Sequence, residues 1–133
     1  MRIYLTHCSK EKSLDAKVNG LPAPPDILYT EAGIQEFMTA CKHAGVTWAI
    51  LSDNYGVLLP GDQRVYYEKP PSTVTAEEEL VIIHQLEQKL SSFDDIWFFV
   101  RTETFHPFYE RILNSSSLND RITFFKDLNS IKG

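Results

Sequence analysis

Four short apolar runs alternate along the chain with stretches of helical periodicity. Ile3, Tyr4 and Leu5 make Arg2–Thr6 a first strand. Trp48–Leu51 is four apolar residues in a row, the mark of a strand buried on both faces. Ile96–Val100 and Arg121–Phe125 read as the third and fourth strands. Between them, Ile34, Phe37, Met38 and Cys41 fall at i, i+3, i+4 and i+7, one face of a helix, with Thr30 as its N-cap and Gly45 as a left-handed stop. Thr75 and Glu78 form a capping box, and Glu77, Glu78 and Glu79 sit at the positive end of the second helix. Leu80, Ile83, Leu86 and Leu90 then mark its expected core stripe. A third helix begins at Pro107, where the missing N–H costs nothing, and buries Phe108, Tyr109, Ile112 and Leu113. The segment from His7 to Tyr29 reads as polar, then irregular, broken by Gly20, Pro22, Pro24 and Pro25.

This β–α–β–α–β–α–β order predicts a single α/β domain over residues 1–133. Its sheet is mostly parallel, of four strands or slightly more, with helices on both faces in Rossmann-like layers. Such sheets take ligands beyond the carboxyl ends of the strands, near the point where strand order reverses. The loops after the first three strands are therefore where chemistry is expected.

Composition narrows the classes. A chain of 133 residues, 43% hydrophobic and 23% charged, can bury a core without disulfides or metal. Its longest uninterrupted apolar run, Ile96–Val100, is far too short to span a membrane. The first residues lack the apolar stretch of a signal peptide, so a cytoplasmic protein with reduced Cys8 and Cys41 is expected. A net charge of −5, from 18 acidic and 13 basic residues, argues against coating duplex nucleic acid. Neither cysteine has metal-ligand spacing, and no glycine-rich phosphate loop, HExxH or GxSxG fingerprint is present. No metal or cofactor is implied.

The three loops carry distinct groups. After the first strand come Cys8, Ser9, Lys10 and Lys12, a nucleophilic or anion-binding set in which the lysines should lower the thiol pKa. The plain alternative is a structural cysteine followed by solvated lysines. After the second strand, Ser52 and Tyr55 offer hydroxyls and Gly56 backbone freedom; an Asp53–Asn54 turn is the alternative. Tyr66 and Tyr67 follow as an aromatic pair. After the third strand come Arg101, Thr102, Glu103 and His106, with His106 either a neutral proton carrier or a helix cap. A Cys8–His106 dyad is one expectation.

In order and spacing these loops resemble a superfamily that includes the YaaA peroxide-stress proteins and the catalytic core of archaeosine synthase. The landmarks are Cys8-Ser9-Lys10-Glu11-Lys12, Leu28-Tyr29, Ser52 through Tyr55-Gly56-Val57-Leu58 to Pro60, then Tyr66 or Tyr67, Thr75-Ala76-Glu77-Glu78 and His106-Pro107-Phe108-Tyr109. The larger relatives carry further segments, including an RNA-binding domain, that this sequence does not match. The resemblance implies a pocket for a purine-like nucleobase or nucleotide, with or without its modification. Lys10 and Lys12 would hold an anionic group, and Tyr29, Ser9, Ser52 and the Tyr55–Gly56 backbone would place the base. Tyr67 would stack on it, with Cys8 as nucleophile and His106 as proton carrier. The rival expectations are a non-catalytic nucleic-acid-associated stress protein, and an interaction subunit whose protein partner supplies the nucleic-acid grip.

Overall fold

The computed structural model describes residues 1–101 and 105–133. Strand β1 (Arg2–His7) is buried from Ile3 to His7, and it can be so because a strand lies on each side of it and helices cover both faces. β2 (Trp48–Ser52) and β4 (Asp95–Phe99) flank it in parallel, with Tyr4 in register with Trp48 and Trp97. β5 (Ile122–Phe125) extends the sheet beyond β4, also in parallel. β3 (Gly56–Leu58) returns antiparallel beside β2, giving the order β3-β2-β1-β4-β5. The fold is thus α/β, one domain built on a mixed, mostly parallel sheet, with five strands rather than four.

Alternation along the strands sorts the core into two layers. Tyr4, Trp97, Phe99 and Phe125 face helix α3 (Ala32–Ala44), where Phe37 stacks on Phe99 with ring centres 5.8 Å apart. Ile3, Leu5, His7 and Phe98 face the other layer, where helix α5 (Pro107–Ser115) brings Tyr109 against His7. Helix α4 (Ala76–Leu90) packs on that layer against β3 and α5. Right-handed crossovers account for this division: the chain leaves β1 toward β2 over one face and moves back to β4 and β5 over the other. Among the described residues no helix is long and apolar enough to cross a membrane.

Some local expectations need correction. Thr75 and Glu78 do form the capping box of α4, and Gly45 does end α3 in the left-handed region. The N-cap of α3, however, is Glu31 rather than Thr30. Leu80 is exposed, and the buried row of α4 is Ile82, Leu86 and Leu90. The helix is rotated because Gln85 reaches the sheet edge: its amide oxygen accepts from Val57 N at 2.8 Å and its Nε2 donates to Val57 O at 3.1 Å. The stretch expected to be irregular contains α1 (Leu14–Asn19), capped by Ser13, and the single turn α2 (Pro25–Leu28). Bridges from Lys12 to Tyr29 and from Ala23 to Arg64 pin it across the carboxyl edge.

Gly56 is a packing requirement of the α4 contact. Its φ is +76°, and a Cβ there would stand 2.3 Å from Gln85 Oε1. Gly56→Ala should therefore cost about 1–3 kcal/mol, lowering Tm by roughly 3–10 °C in a thermal melt. Adding Gln85→Ala should relieve the collision but not the backbone strain, so the two changes should be non-additive.

Candidate functional site

The chain leaves β1 toward the α3 face and leaves β4 toward the α5 face, so their carboxyl ends form the crevice that α/β sheets use for ligands. The residues there are unusually polar for their burial. Thr6, His7, Ser9, Ser52, Asp53 and Arg101 are all buried, and Cys8 is 6% exposed.

Arg101 organises the crevice. Its Nη1 donates to Thr6 Oγ1 at 3.0 Å and to the His7 carbonyl at 2.5 Å, and its Nη2 donates to the Cys8 carbonyl at 3.2 Å. Its Nε is bonded to Glu31 Oε1 at 3.0 Å, an ion pair to the first residue of the α3 cap. Burial pulls the Arg101 pKa down and Glu31 opposes that. His7 donates from Nδ1 to the Cys8 carbonyl at 2.9 Å and stacks on Tyr109 with ring centres 4.8 Å apart. Burial first, and the Arg101 charge second, push its pKa down to about 3, so the imidazole is neutral.

Cys8 occupies the centre. Its thiol donates to Asp53 Oδ1 at 3.6 Å and is hydrogen-bonded to the Tyr109 hydroxyl at 3.2 Å. Burial raises the Cys8 pKa, and the Asp53 carboxylate raises it further. The expected net lowering by lysines does not occur, because burial and Asp53 dominate while Lys10 is exposed. Asp53 is 2% exposed, and burial lifts its carboxyl above its ordinary value. Among the described residues no cation stands within ion-pair distance of it. The site therefore holds two neighbouring acids, thiol and carboxyl, both biased toward their neutral forms.

A hydroxyl chain adjoins this pair. Ser52 Oγ accepts from the backbone N–H groups of Asn54 and Tyr55, which leaves its proton for Tyr67, 2.9 Å away. The Tyr67 and Tyr29 hydroxyls are hydrogen-bonded at 2.8 Å. Lys12 Nζ lies 4.3 Å above the Tyr67 ring, and Tyr55 meets that ring edge-on at 5.1 Å. Tyr67 is thus already engaged by its neighbours rather than offering a free stacking face.

Of the residues singled out from sequence, Cys8, Tyr29, Ser52, Tyr67 and Lys12 converge here. Ser9 does not join them: it closes its own turn by donating to the Glu11 carbonyl at 2.7 Å. Tyr55 donates to the Val65 carbonyl at 3.0 Å. His106 forms no dyad with Cys8; its Nδ1 caps α5 by accepting from Phe108 N at 3.1 Å. Thr102 and Glu103 lie outside the described residues. Sequence reading missed Asp53 and Tyr109 as partners of the thiol, and His7 as a partner of the Cys8 carbonyl. Asp53 looked like a turn residue and Tyr109 like helix core, and only the folded register joins them.

The buried carboxyl gives a signed prediction. A group whose pKa is raised by folding adds stability below its unfolded pKa and loses it as pH rises through the folded value. Asp53→Asn should therefore melt several degrees above the wild type at about pH 7.5, and the gain should vanish toward about pH 4. A variant less stable at both pH values would mean that the carboxylate is a net structural asset. Comparison with known proteins leaves the function to this geometry, since no family model, no curated protein and no solved structure matches the chain.

Proposed function

We propose that this protein binds a purine-like nucleobase or nucleotide at the carboxyl edge of its sheet and modifies it through Cys8. The observation that carries this reading is the buried Cys8–Asp53 pair at the reversal of strand order. A buried carboxylate with no ion-pair contact among the described residues, hydrogen-bonded by a thiol in a crevice, is costly to keep for structure alone. It gives the sulfur a proton acceptor whose affinity for protons is already raised.

In the reaction, Cys8 passes its proton to Asp53 as the sulfur adds to an electrophilic ring or ring-attached carbon of the base. The displaced electron pair goes to the adjacent nitrogen, which takes the proton back from Asp53. Tyr109, 3.2 Å from the sulfur, steadies the charge that develops there. Lys12, half-buried at the rim, and exposed Lys10 would meet a phosphate. The loop resemblance to the YaaA and archaeosine synthase superfamily supports the same ligand class. The net charge of −5 favours a small ligand over a duplex. Two free thiols fit a cytoplasmic protein.

Titration calorimetry with adenine, guanine and their monophosphates tests this directly. At least one should bind, and Lys12→Ala should weaken the monophosphate about tenfold more than the free base, a difference of ~1.4 kcal/mol. Cys8→Ala should abolish the covalent base adduct, read by intact-protein mass, while leaving Tm within a few degrees. His106→Ala should cost about 1 kcal/mol of stability through the lost cap and spare binding. Absence of binding by every base and nucleotide at millimolar concentration, or an adduct that survives Cys8→Ala, would overturn the proposal.

A further inference from the structure

Among the described residues, one buried side-chain nitrogen has no hydrogen-bond partner: Nε2 of His7. The residue is 1% exposed. Its tautomer follows from the other nitrogen. Nδ1 lies 2.9 Å from the Cys8 carbonyl, which can only accept, and 3.2 Å from Arg101 Nη2. The shorter contact requires a proton on Nδ1. Nε2 is then a bare lone pair, a buried acceptor that lacks a donor. Native structures rarely keep such groups without a use for them.

The surroundings of the ring point to what that use is. On one side His7 is held by Tyr109, nearly parallel at 4.8 Å and 22°. Phe105 also meets it, with ring centres 5.7 Å apart. Phe105 is half-buried and rests among Phe98 at 5.8 Å and Phe124 at 6.4 Å. Phe124 is itself 41% exposed, so this aromatic group opens at the surface. Phe105 is therefore packed against the His7 ring, and a hydrocarbon ring cannot satisfy its bare acceptor. Tyr109 and the Cys8 carbonyl link that space to the thiol.

We infer that His7, Phe98 and Phe124 form a slot for a planar heteroaromatic ring bearing an N–H, which enters in place of the Phe105 side chain and donates to His7 Nε2. This rests on the base-binding reading above and adds where the base lies and which edge is read. A ring without an N–H leaves the lone pair bare and binds more weakly. His7 is in this way a specificity residue: held neutral in one tautomer, it distinguishes donor-bearing rings from their isosteres.

The test uses two probes of the same shape, benzimidazole, which has an N–H, and benzothiazole, which has none. Wild-type protein should bind benzimidazole at least tenfold more tightly. Phe105→Ala should tighten both several-fold and keep the ratio, and His7→Phe should bring the ratio close to one. Because His7→Phe could fail to fold, the imidazole nitrogens of the wild type are also followed by ¹⁵N NMR, assigned by replacing His43, His84 and His106 in turn. The unprotonated Nε2 signal of His7 should move on saturation with benzimidazole and not with benzothiazole. Equal affinities, or an unmoved Nε2 signal at saturation, overturn the slot. If purines bind but the two probes are not distinguished, the slot alone fails. If neither probe nor any purine binds, the base-binding reading fails with it.

Discussion

The guanidinium of Arg101 is the contact on which the carboxyl edge depends. Where β1 ends, the carbonyls of His7 and Cys8 lie buried at the sheet edge and need donors. Arg101 supplies them, and the same fork holds Thr6 and the Glu31 carboxylate. One planar cation thus joins the end of β1, the segment after β4 and the start of α3, which three separate neutral donors could do only at a greater entropic cost. The helix makes room for it. A Cβ at Gly33 would stand 3.1 Å from Arg101 Cδ and 3.3 Å from Glu31 Oε1, so that position is small because the guanidinium passes beside it.

This arrangement also sets the electrostatics of the site. The Arg101 charge is directed at backbone carbonyls and Glu31, with its field strong enough at His7 to help keep the imidazole neutral. Cys8 and Asp53 are governed by desolvation, which raises both. The outcome differs from the lysine-activated thiol and the Cys8–His106 dyad that the sequence suggests. Here the thiol is stored protonated next to a carboxyl that is also reluctant to ionise, and the histidine beside it serves through hydrogen bonding rather than charge.

The layered α/β fold was legible because its long elements carry strong local signals. The Thr75–Glu78 box, the Gly45 stop and the apolar runs of β1, β2 and β4 each act within a few residues. What escaped was short or set by distant contact. α1, α2 and β3 are too brief for periodicity to register, and the rotation of α4 follows from Gln85 bonding to Val57, a partner 28 positions away. At the site, Cys8, Ser52, Tyr29 and Tyr67 could be placed on one edge because each follows a strand or precedes a helix. His7 was readable in principle. Carrying the two-residue period of Ile3 and Leu5 one step further puts it on the same face, toward α5, but ending the strand at Thr6 hid that. Asp53 and Tyr109 become partners of Cys8 only through register and crossover, and neither is written in local sequence.

The two sides of the crevice are not equivalent, and the difference bears on where a ligand goes. On the α3 side, continuing the alternation of Trp48 and Ile50, Ser52 is saturated by two backbone donors and Tyr67, Tyr67 is bonded to Tyr29 and covered by Lys12, and every hydroxyl has a neighbour. A ligand entering there would have to break bonds and replace them. On the α5 side, His7 offers an acceptor that none of the described residues meets, and the ring next to it is a half-buried phenylalanine whose side chain breaks no hydrogen bond when it leaves. Displacing Phe105 costs apolar contact that a planar base restores, while the base adds the hydrogen bond that the free protein lacks. The side that is already satisfied reads as the frame that holds Cys8 and Asp53 in place, and the unsatisfied side is the one that the proposed base would take.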